Sequence, residues 1–278
     1  MKFEGKNMSI KQRFSEILRS SSALGNINKW LRNHLNLHGN HCDMLNIHCS
    51  KNQIAMPGSS QTIYCHASSY LRETKIHMEG DRNALEIAEN SCIYGEGVKT
   101  VYVCGNNNHI VIGEGCTLRK ISFFIRGSGN TIVIGDNCSL YNAQFHMEQN
   151  DNEIRIGDGT TLHGREYQPI HMAVDEGSKI LIGEDCMLAH SIQFRSTDSH
   201  SIVDLSGRRL NPAKDILIGN HCWIGLQCII LKGTEVAEHS VIAAGAVCSK
   251  KYLEPHCIIA GNPAKIVKQN IDWDRKFL

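Results

Sequence analysis

Ile216-Leu217-Ile218-Gly219 is one copy of the four-residue phrase that decides the fold of this 278-residue chain. Earlier copies are Ile110-Val111-Ile112-Gly113, Ile132-Val133-Ile134-Gly135, Ile154-Arg155-Ile156-Gly157 and Ile180-Leu181-Ile182-Gly183, after a weaker copy at Leu85-Glu86-Ile87-Ala88. In each copy two aliphatic residues flank a residue of variable type, which is the period-2 alternation of a strand with one buried face. The glycine suits a corner where φ is positive. The phrase therefore predicts many short strands joined by tight corners.

From Ile218 onward the repeat shortens to six residues. Its bulky positions are Ile218, Ile224, Ile230, Val236, Ile242 and Cys248, and its small positions are Cys222, Cys228, Thr234, Ser240 and Ala246. Each small position precedes the next bulky one by two residues, so both lie on the same strand face. Two such rows fit a narrow prism with three sides to a coil. Hexapeptide repeats of this kind predict a parallel β-helix.

The spacing between earlier copies is wider. Ile112 to Ile134 and Ile134 to Ile156 are each 22 residues, Ile156 to Ile182 is 26, and Ile182 to Ile218 is 36. Stacked coils have no interior room for extra residues, so the surplus is expected to loop outward. The largest excursion falls around 195–214. Long loops on a rigid scaffold are frequent sites of function.

Both ends depart from the repeat, which divides the chain into residues 1–40, 41–260 and 261–278. Two short N-terminal helices are expected, with faces formed by Ile10, Phe14, Ile17 and Leu18 and by Ile27, Trp30, Leu31 and His34. A C-terminal helix is expected to open at Pro263 and to carry Ile266, Val267 and Ile271. The class prediction is all-β, with a parallel β-helix over 41–260.

Composition excludes several functions. A net charge of +1 disfavours a nucleic-acid partner, because neutralising several phosphates needs a basic excess. No apolar stretch approaches the roughly 20 residues of a transmembrane segment, and residues 1–10 show no secretory pattern. The twelve cysteines are therefore expected as free thiols in a cytoplasmic protein.

Three motifs resemble the hexapeptide-repeat acyltransferase superfamily, and most closely its capsule, lipopolysaccharide and galactoside O-acetyltransferases. They are residues 216–225, ending in Trp223-Ile224-Gly225, residues 240–247, and residues 258–266 with the Gly-Asn-Pro-Ala-Lys turn. The resemblance implies a left-handed coil, a homotrimer, and acetyl-CoA lying in grooves between subunits. It implies direct acetyl transfer to a sugar hydroxyl of a surface polysaccharide or its precursor.

Site residues follow from the resemblance by motif. His200 is implied as the catalytic base, and Trp223 and the Leu226 N–H as flanking the acetyl group. The acetyl-CoA contacts are implied at Ala244, Gly245, Lys250, Asn262, Pro263 and Lys265. Asp198 is the first candidate to orient the imidazole, and Asp204 is its rival. Because His200 precedes Trp223 by 23 residues, little more than one early coil, the two are expected to approach each other.

Two other functions use the same scaffold. A γ-class carbonic anhydrase would bind zinc through histidines, and Leu162-His163-Gly164 slightly resembles one of its ligand segments, although the next histidine is only at His171. A non-catalytic spacer would have the repeat without a reason for the histidine loop.

No metal site is predicted. Cys92, Cys116, Cys138, Cys186, Cys222 and Cys228 are read as the small inward row of the prism, where free cysteine acts as a buried apolar group. A linear ladder of thiols does not converge on one point as tetrahedral zinc requires. The remaining histidines are expected at the surface or on coil walls, with no repeated spacing.

Overall fold

The computed structural model describes residues 34–38, 40–43 and 49–276, and its regular elements there are all β-strands. In chain order they are β1 (His34–Asn36), β2 (His41–Asp43), β3 (Gln53–Ala55), β4 (Gly58–Ser59), β5 (Thr62–Cys65), β6 (Tyr70–Arg72), β7 (Lys75–Asp81), β8 (Ala84–Ile87), β9 (Cys92–Tyr94), β10 (Val101–Cys104), β11 (His109–Ile112), β12 (Thr117–Arg119), β13 (Ser122–Arg126), β14 (Thr131–Ile134), β15 (Ser139–Tyr141), β16 (Ala143–Glu148), β17 (Glu153–Ile156), β18 (Thr161–His163), β19 (Ile170–Val174), β20 (Lys179–Ile182), β21 (Met187–Leu188), β22 (Gln193–Arg195), β23 (Ile216–Ile218), β24 (Trp223–Ile224), β25 (Ile229–Leu231), β26 (Glu235–Val236), β27 (Val241–Ile242), β28 (Val247–Cys248), β29 (Lys251–Tyr252), β30 (Cys257–Gly261) and β31 (Ala264–Gln269). Over these described ranges, no helix long and apolar enough for a membrane crossing is found.

The strands form the three sides of a prism. Sheet A runs β1-β3-β7-β10-β13-β16-β19-β22-β25-β28, with β4 beside β7. Sheet B runs β2-β5-β8-β11-β14-β17-β20-β23-β26-β29, and sheet C runs from β6 and β9 through every third strand to β30 and β31. The chain passes from A to B to C in each coil, and neighbouring strands within each sheet are parallel except for the last pair, β30 and β31. The predicted all-β parallel β-helix is confirmed.

The irregular spacing of the repeat is absorbed outside the prism, as expected. Ile112, Ile134, Ile156, Ile182 and Ile218 stack in register along sheet B although their separations differ. The surplus of the 36-residue interval leaves between β22 and β23, at the corner between sheets A and B. That excursion, residues 196–215, is called the His200 loop below.

The core consists of the two predicted rows. The bulky positions from Ile218 to Cys248 and the small positions from Cys222 to Ala246 are all buried. Sheet A adds large buried rings at Phe123, Phe145 and Phe194. Cysteines from Cys92 to Cys257 are free thiols.

The prediction of an inward cysteine row is wrong for one residue, Cys92. Cys92 is half-buried and pairs in register with the exposed Thr117, so it points out of the prism. Ser91 takes the inward place and donates its hydroxyl hydrogen to the Gly113 carbonyl at 2.6 Å. The repeat continues with a serine there because the position needs a small donor, which a thiol or a hydroxyl supplies.

The predicted C-terminal helix is also wrong. The residues after Pro263 form β31, which pairs antiparallel with β30. A hairpin is favoured here because it covers the edge that the last parallel strand of sheet C would otherwise expose. The expected N-terminal helices lie in residues outside the described ranges, apart from His34, which begins β1.

Candidate active site

The His200 loop is a folded excursion fixed at its base to the prism. Its outer part doubles back, with Val203 bridged to Arg209 and the Leu210 N–H donating to the Ile202 carbonyl at 2.7 Å. The carboxylate of Glu176, one coil earlier at the same corner, accepts hydrogen bonds from the Arg209 guanidinium at 2.5 Å and from the Ala213 N–H at 3.3 Å. These bonds give the loop a defined orientation.

Asn211 is the centre of the polar contacts around His200. It is 7% exposed, and its amide nitrogen donates to the His200 carbonyl at 2.8 Å and to Asp198 Oδ2 at 2.7 Å. Its amide oxygen accepts the Ile202 N–H at 2.7 Å. One buried side chain therefore ties both sides of the His200 loop together, a role that the sequence did not indicate.

Asp198 and Asp204 each have other partners than the imidazole. The Lys232 ammonium lies 2.5 Å from Asp198 Oδ2, and the hydrogen bonds from Lys232 and Asn211 hold the pKa of Asp198 below its usual value. Asp204 accepts hydrogen bonds from Ser206 and Arg208 within its own turn. Over the described part of the chain the His200 imidazole has no hydrogen bond or ion pair, and the residue is exposed.

The predicted acetyl-CoA residues of the two hexapeptide coils come together in a column. Leu226 follows β24 and Ala244-Gly245 follows β27, so both lie at the corner between sheets C and A on neighbouring coils. The Gly245 N–H donates to the Leu226 carbonyl at 2.9 Å. A Cβ on Gly245, where φ is 71°, would meet no atom within 4 Å, so this wall is open to an extended ligand. We call these residues, with Gly261-Asn262-Pro263 one coil further, the corner column.

The Leu226 N–H is available to a ligand. Leu226 is 39% exposed, and within the described residues its N–H donates to no protein acceptor. Trp223, in the strand just before it, is also 39% exposed. An exposed backbone N–H without a protein acceptor can donate to an oxyanion.

The hairpin residues extend the corner column towards the end of the prism. Asn262 and Pro263 are exposed at the β30–β31 turn and are joined by a cis peptide bond, and Lys265 is exposed on β31. Lys250 lies elsewhere, between β28 and β29 at the corner between sheets A and B. Its ammonium is 5.6 Å from the Tyr252 ring, whose hydroxyl donates to the Ala264 carbonyl at 3.1 Å.

The expected approach of His200 to Trp223 within one chain is not seen. The His200 loop leaves the corner between sheets A and B, and its contacts, Glu176 and Lys232, lie at that corner. Trp223 is on sheet C, the side of a three-sided prism opposite that corner. The number of residues between His200 and Trp223 predicted the correct height along the prism axis, but it did not predict which face of the prism carries Trp223.

Exposed apolar residues lie both on the His200 loop and around Trp223. The His200 loop carries Ile202, Val203, Leu205 and Leu210 with at least half of each side chain exposed. Trp223, Leu226 and Ile229 are each more than a third exposed beside the corner column. Groups of exposed apolar residues of this kind are candidate interaction surfaces.

Comparison with known proteins finds polysialic acid O-acetyltransferases among the relatives of this chain. A polysialic acid O-acetyltransferase of Neisseria meningitidis is 37% identical over 200 residues, which cover 72% of this chain and 89% of that protein. The solved structure of the polysialic acid O-acetyltransferase OatWY aligns with a TM-score of 0.64 at 32% identity, covering 81% of this chain and 92% of that one. The structure of the polySia specific acetyltransferase NeuO aligns with a TM-score of 0.61 at 28% identity, covering 81% and 83%. No protein-family model matches the chain.

Proposed function

The chain belongs to the hexapeptide-repeat acetyltransferase family, and on that premise we propose that it transfers acetyl groups from acetyl-CoA to a sugar hydroxyl of a sialic acid capsular polysaccharide. The observation that carries the proposal is the 37% identity over 72% of the chain with a protein that acetylates polysialic acid. The open corner column supports the donor half of the reaction, because it offers exposed small residues and a free N–H.

The active site in this proposal is shared between two copies of the chain in a homotrimer. The support is that His200 and Trp223 occupy opposite sides of one prism. The apolar residues of the His200 loop then cover the apolar surface around Trp223 of the next copy. Such a contact joins two different surfaces, and repeated by rotation it closes a ring.

The finer features carried by the resemblance belong to the same proposal. They are the left-handed coil, the cytoplasmic location, and acetyl-CoA extending from Ala244-Gly245 towards Asn262, Pro263 and Lys265. Lys265 is the better candidate for a CoA phosphate than Lys250, which lies at another corner. The free thiols from Cys92 onward suit a reducing compartment.

The reaction proceeds by direct transfer without an acyl-enzyme. Neutral His200 accepts the proton of the acceptor hydroxyl as that oxygen attacks the thioester carbonyl. The Leu226 N–H stabilises the oxyanion of the tetrahedral intermediate. The intermediate collapses with cleavage of the C–S bond, and the imidazolium returns the proton to the CoA thiolate. Asp198, held by Lys232 and Asn211, serves the loop rather than the imidazole ring.

Both alternative functions have less support. His163 is exposed and His171 is half-buried, and neither belongs to the potential metal-ligand group found in the described residues. A spacer does not account for the identity with acetyltransferases over most of the chain.

The test is acetyl transfer to polysialic acid by the wild type and by His200→Ala. CoA release is measured with a thiol reagent, and the O-acetyl product is identified by NMR. We expect the variant to keep its fold and its acetyl-CoA affinity and to lose about 100- to 10,000-fold in kcat, the range for a general base. If the wild type acetylates no sialic acid polymer, the proposed acceptor is wrong. If His200→Ala keeps more than about a tenth of wild-type turnover, His200 is not the base.

A further inference from the structure

A column of histidines runs along the corner between sheets B and C. His221, His239 and His256 occupy the same corner of three successive coils, 18 and 17 residues apart. Their ring centroids are separated by 4.9 and 4.7 Å. The spacing is that of one coil, so the expectation that no histidine spacing repeats is wrong.

The last described residues return along this column. We call residues 271–276 the C-terminal strap. The Ile271 N–H donates to the His256 carbonyl at 3.0 Å, and the Trp273 indole N–H donates to the His221 carbonyl at 2.8 Å. The Arg275 guanidinium reaches Asp185 at 2.7 Å and the Cys186 carbonyl at 2.9 Å. The strap therefore crosses several coils and is fixed to each.

His221 is surrounded by acceptors. Its Nδ1 is 2.6 Å from Asp185 Oδ2, which makes Nδ1 the donor to that carboxylate. Its Nε2 lies 3.1 Å from the Trp273 carbonyl oxygen and 3.5 Å from Asp272 Oδ1. With one proton on Nδ1, the Nε2 lone pair faces two oxygens. The arrangement needs a cation at Nε2, either a second proton or a metal ion.

Two of the three ligand separations match a tetrahedral metal centre. Asp272 Oδ1 is also 3.4 Å from His239 Nδ1, and the three ligand atoms all lie within 4.8 Å of one another. Zinc bonds of about 2.0–2.2 Å place neighbouring tetrahedral ligands about 3.3–3.5 Å apart. Asp185 on the far nitrogen of His221 supplies the carboxylate–histidine–metal arrangement that orients zinc-binding imidazoles.

We propose that His221, His239 and Asp272 bind one Zn²⁺ ion that fastens the C-terminal strap to the prism. The fourth position is filled by the Trp273 carbonyl oxygen or by a water. Nitrogen and carboxylate ligands with tetrahedral spacing favour zinc over Mg²⁺ or Ca²⁺, which take six or more oxygens. The ion lies apart from the His200 loop and takes no step in acetyl transfer.

A proton is the competitor for this place. Zinc displaces that proton, so zinc affinity should weaken as the pH falls.

The experiment is a zinc titration of the full-length protein, first stripped with a chelator, by competition with a chromophoric zinc indicator. His239 has a φ of 56°, so His239→Asn is the suitable ligand variant because asparagine tolerates that conformation. Asp272→Asn removes the second ligand, and the exposed His109→Ala on β11 is the control. Since the cysteines also bind zinc when unfolded, each variant is checked by circular dichroism.

The expected result is one equivalent of zinc bound by the wild type and by His109→Ala, with a raised melting temperature. His239→Asn and Asp272→Asn should bind at least about 100-fold more weakly, and Asp185→Asn about 10- to 100-fold more weakly, as for loss of an orienting partner. Zinc binding that is equal in wild type and His239→Asn overturns the proposal. So does absence of zinc binding with a histidine NMR titration that zinc does not change, which assigns the cation to a proton.

Discussion

In the proposed active site Asn211 is a positioning residue for His200, because its side-chain amide bonds the His200 carbonyl and the Ile202 N–H. Asn211→Ala should lower kcat by about tenfold and leave the KM for acetyl-CoA unchanged, since the corner column is on another side of the prism. Steady-state kinetics with both substrates tests this. Ser206→Ala is the control, because the Ser206 hydroxyl donates to Asp204 within the same loop. An equal kcat for Asn211→Ala and wild type would show that Asn211 does not position His200.

His171 makes the stability of the fold depend on pH. Burial, followed by the charges of Arg195 and His146, lowers its pKa to about 4 from the usual 6.5. Between these two values the unfolded chain binds a proton that the folded chain does not, so the free energy of unfolding falls as the pH drops from 6.5 to 4. The full shift corresponds to about 3 kcal/mol, and partial exposure reduces this to about 1–2 kcal/mol.

Urea denaturation at pH 7.5 and pH 4.5 measures that loss. His171→Gln should reduce the difference between the two pH values, and glutamine fits because Gln144 and Gln193 already flank the position in register. The exposed His109→Gln is the control. A pH dependence that is the same in His171→Gln and wild type would contradict the assignment.

The buried asparagine ladder holds the corner between sheets A and B. Asn130 donates to the Asn108 side-chain oxygen and to the Gln149 carbonyl, each at 3.0 Å, and accepts the Asn152 amide at 2.8 Å. At Gly127 in the same corner, a Cβ would lie 1.7 Å from the Gln149 carbonyl oxygen, and φ is 136°. The corner therefore depends on these residue types.

Asn130→Ala should destabilise the protein by about 3 kcal/mol, because it removes the side-chain partner of the Gln149 carbonyl and of the buried Asn152 N–H on the following coil. The free energy of unfolding in urea measures the cost. Gln144→Ala, an exposed polar position on β16, should change stability by less than about 0.5 kcal/mol. Equal losses for the two variants would show that the ladder adds nothing beyond strand packing.

The strands of sheet B and the two core rows could be predicted from sequence because each I-x-I-G phrase carries its own periodicity. The end of the chain could not. Ile266-Val267 is too short an apolar run to separate a helix from a strand, and pairing with the free edge of β30 decided the outcome. Cys92 was assigned to the inward row, but the inward position belongs to Ser91, one residue earlier. A serine hydroxyl satisfies that position as a cysteine thiol does elsewhere in the row.

For the whole molecule, the resemblance implied acetyl-CoA in grooves between subunits, whereas the spacing of His200 and Trp223 predicted that the two approach each other within one chain. Residue spacing predicts the height of Trp223 along the prism axis. Whether His200 and Trp223 share a face depends on the corner from which the His200 loop leaves the prism. In the proposed trimer, the exposed apolar residues of the His200 loop cover the exposed surface around Trp223 of the next copy.

The shared site is tested most directly by mixing two inactive variants. His200→Ala removes the base, and Ala244→Trp fills the exposed corner column without entering the core. The two carry different affinity tags, are coexpressed, and the trimers with both tags are purified. In each such ring of three, one contact joins an intact loop to an intact column. We predict about one third of wild-type kcat for the mixed trimers and almost none for either variant alone; mixed trimers no more active than the single variants would contradict a site built from two chains.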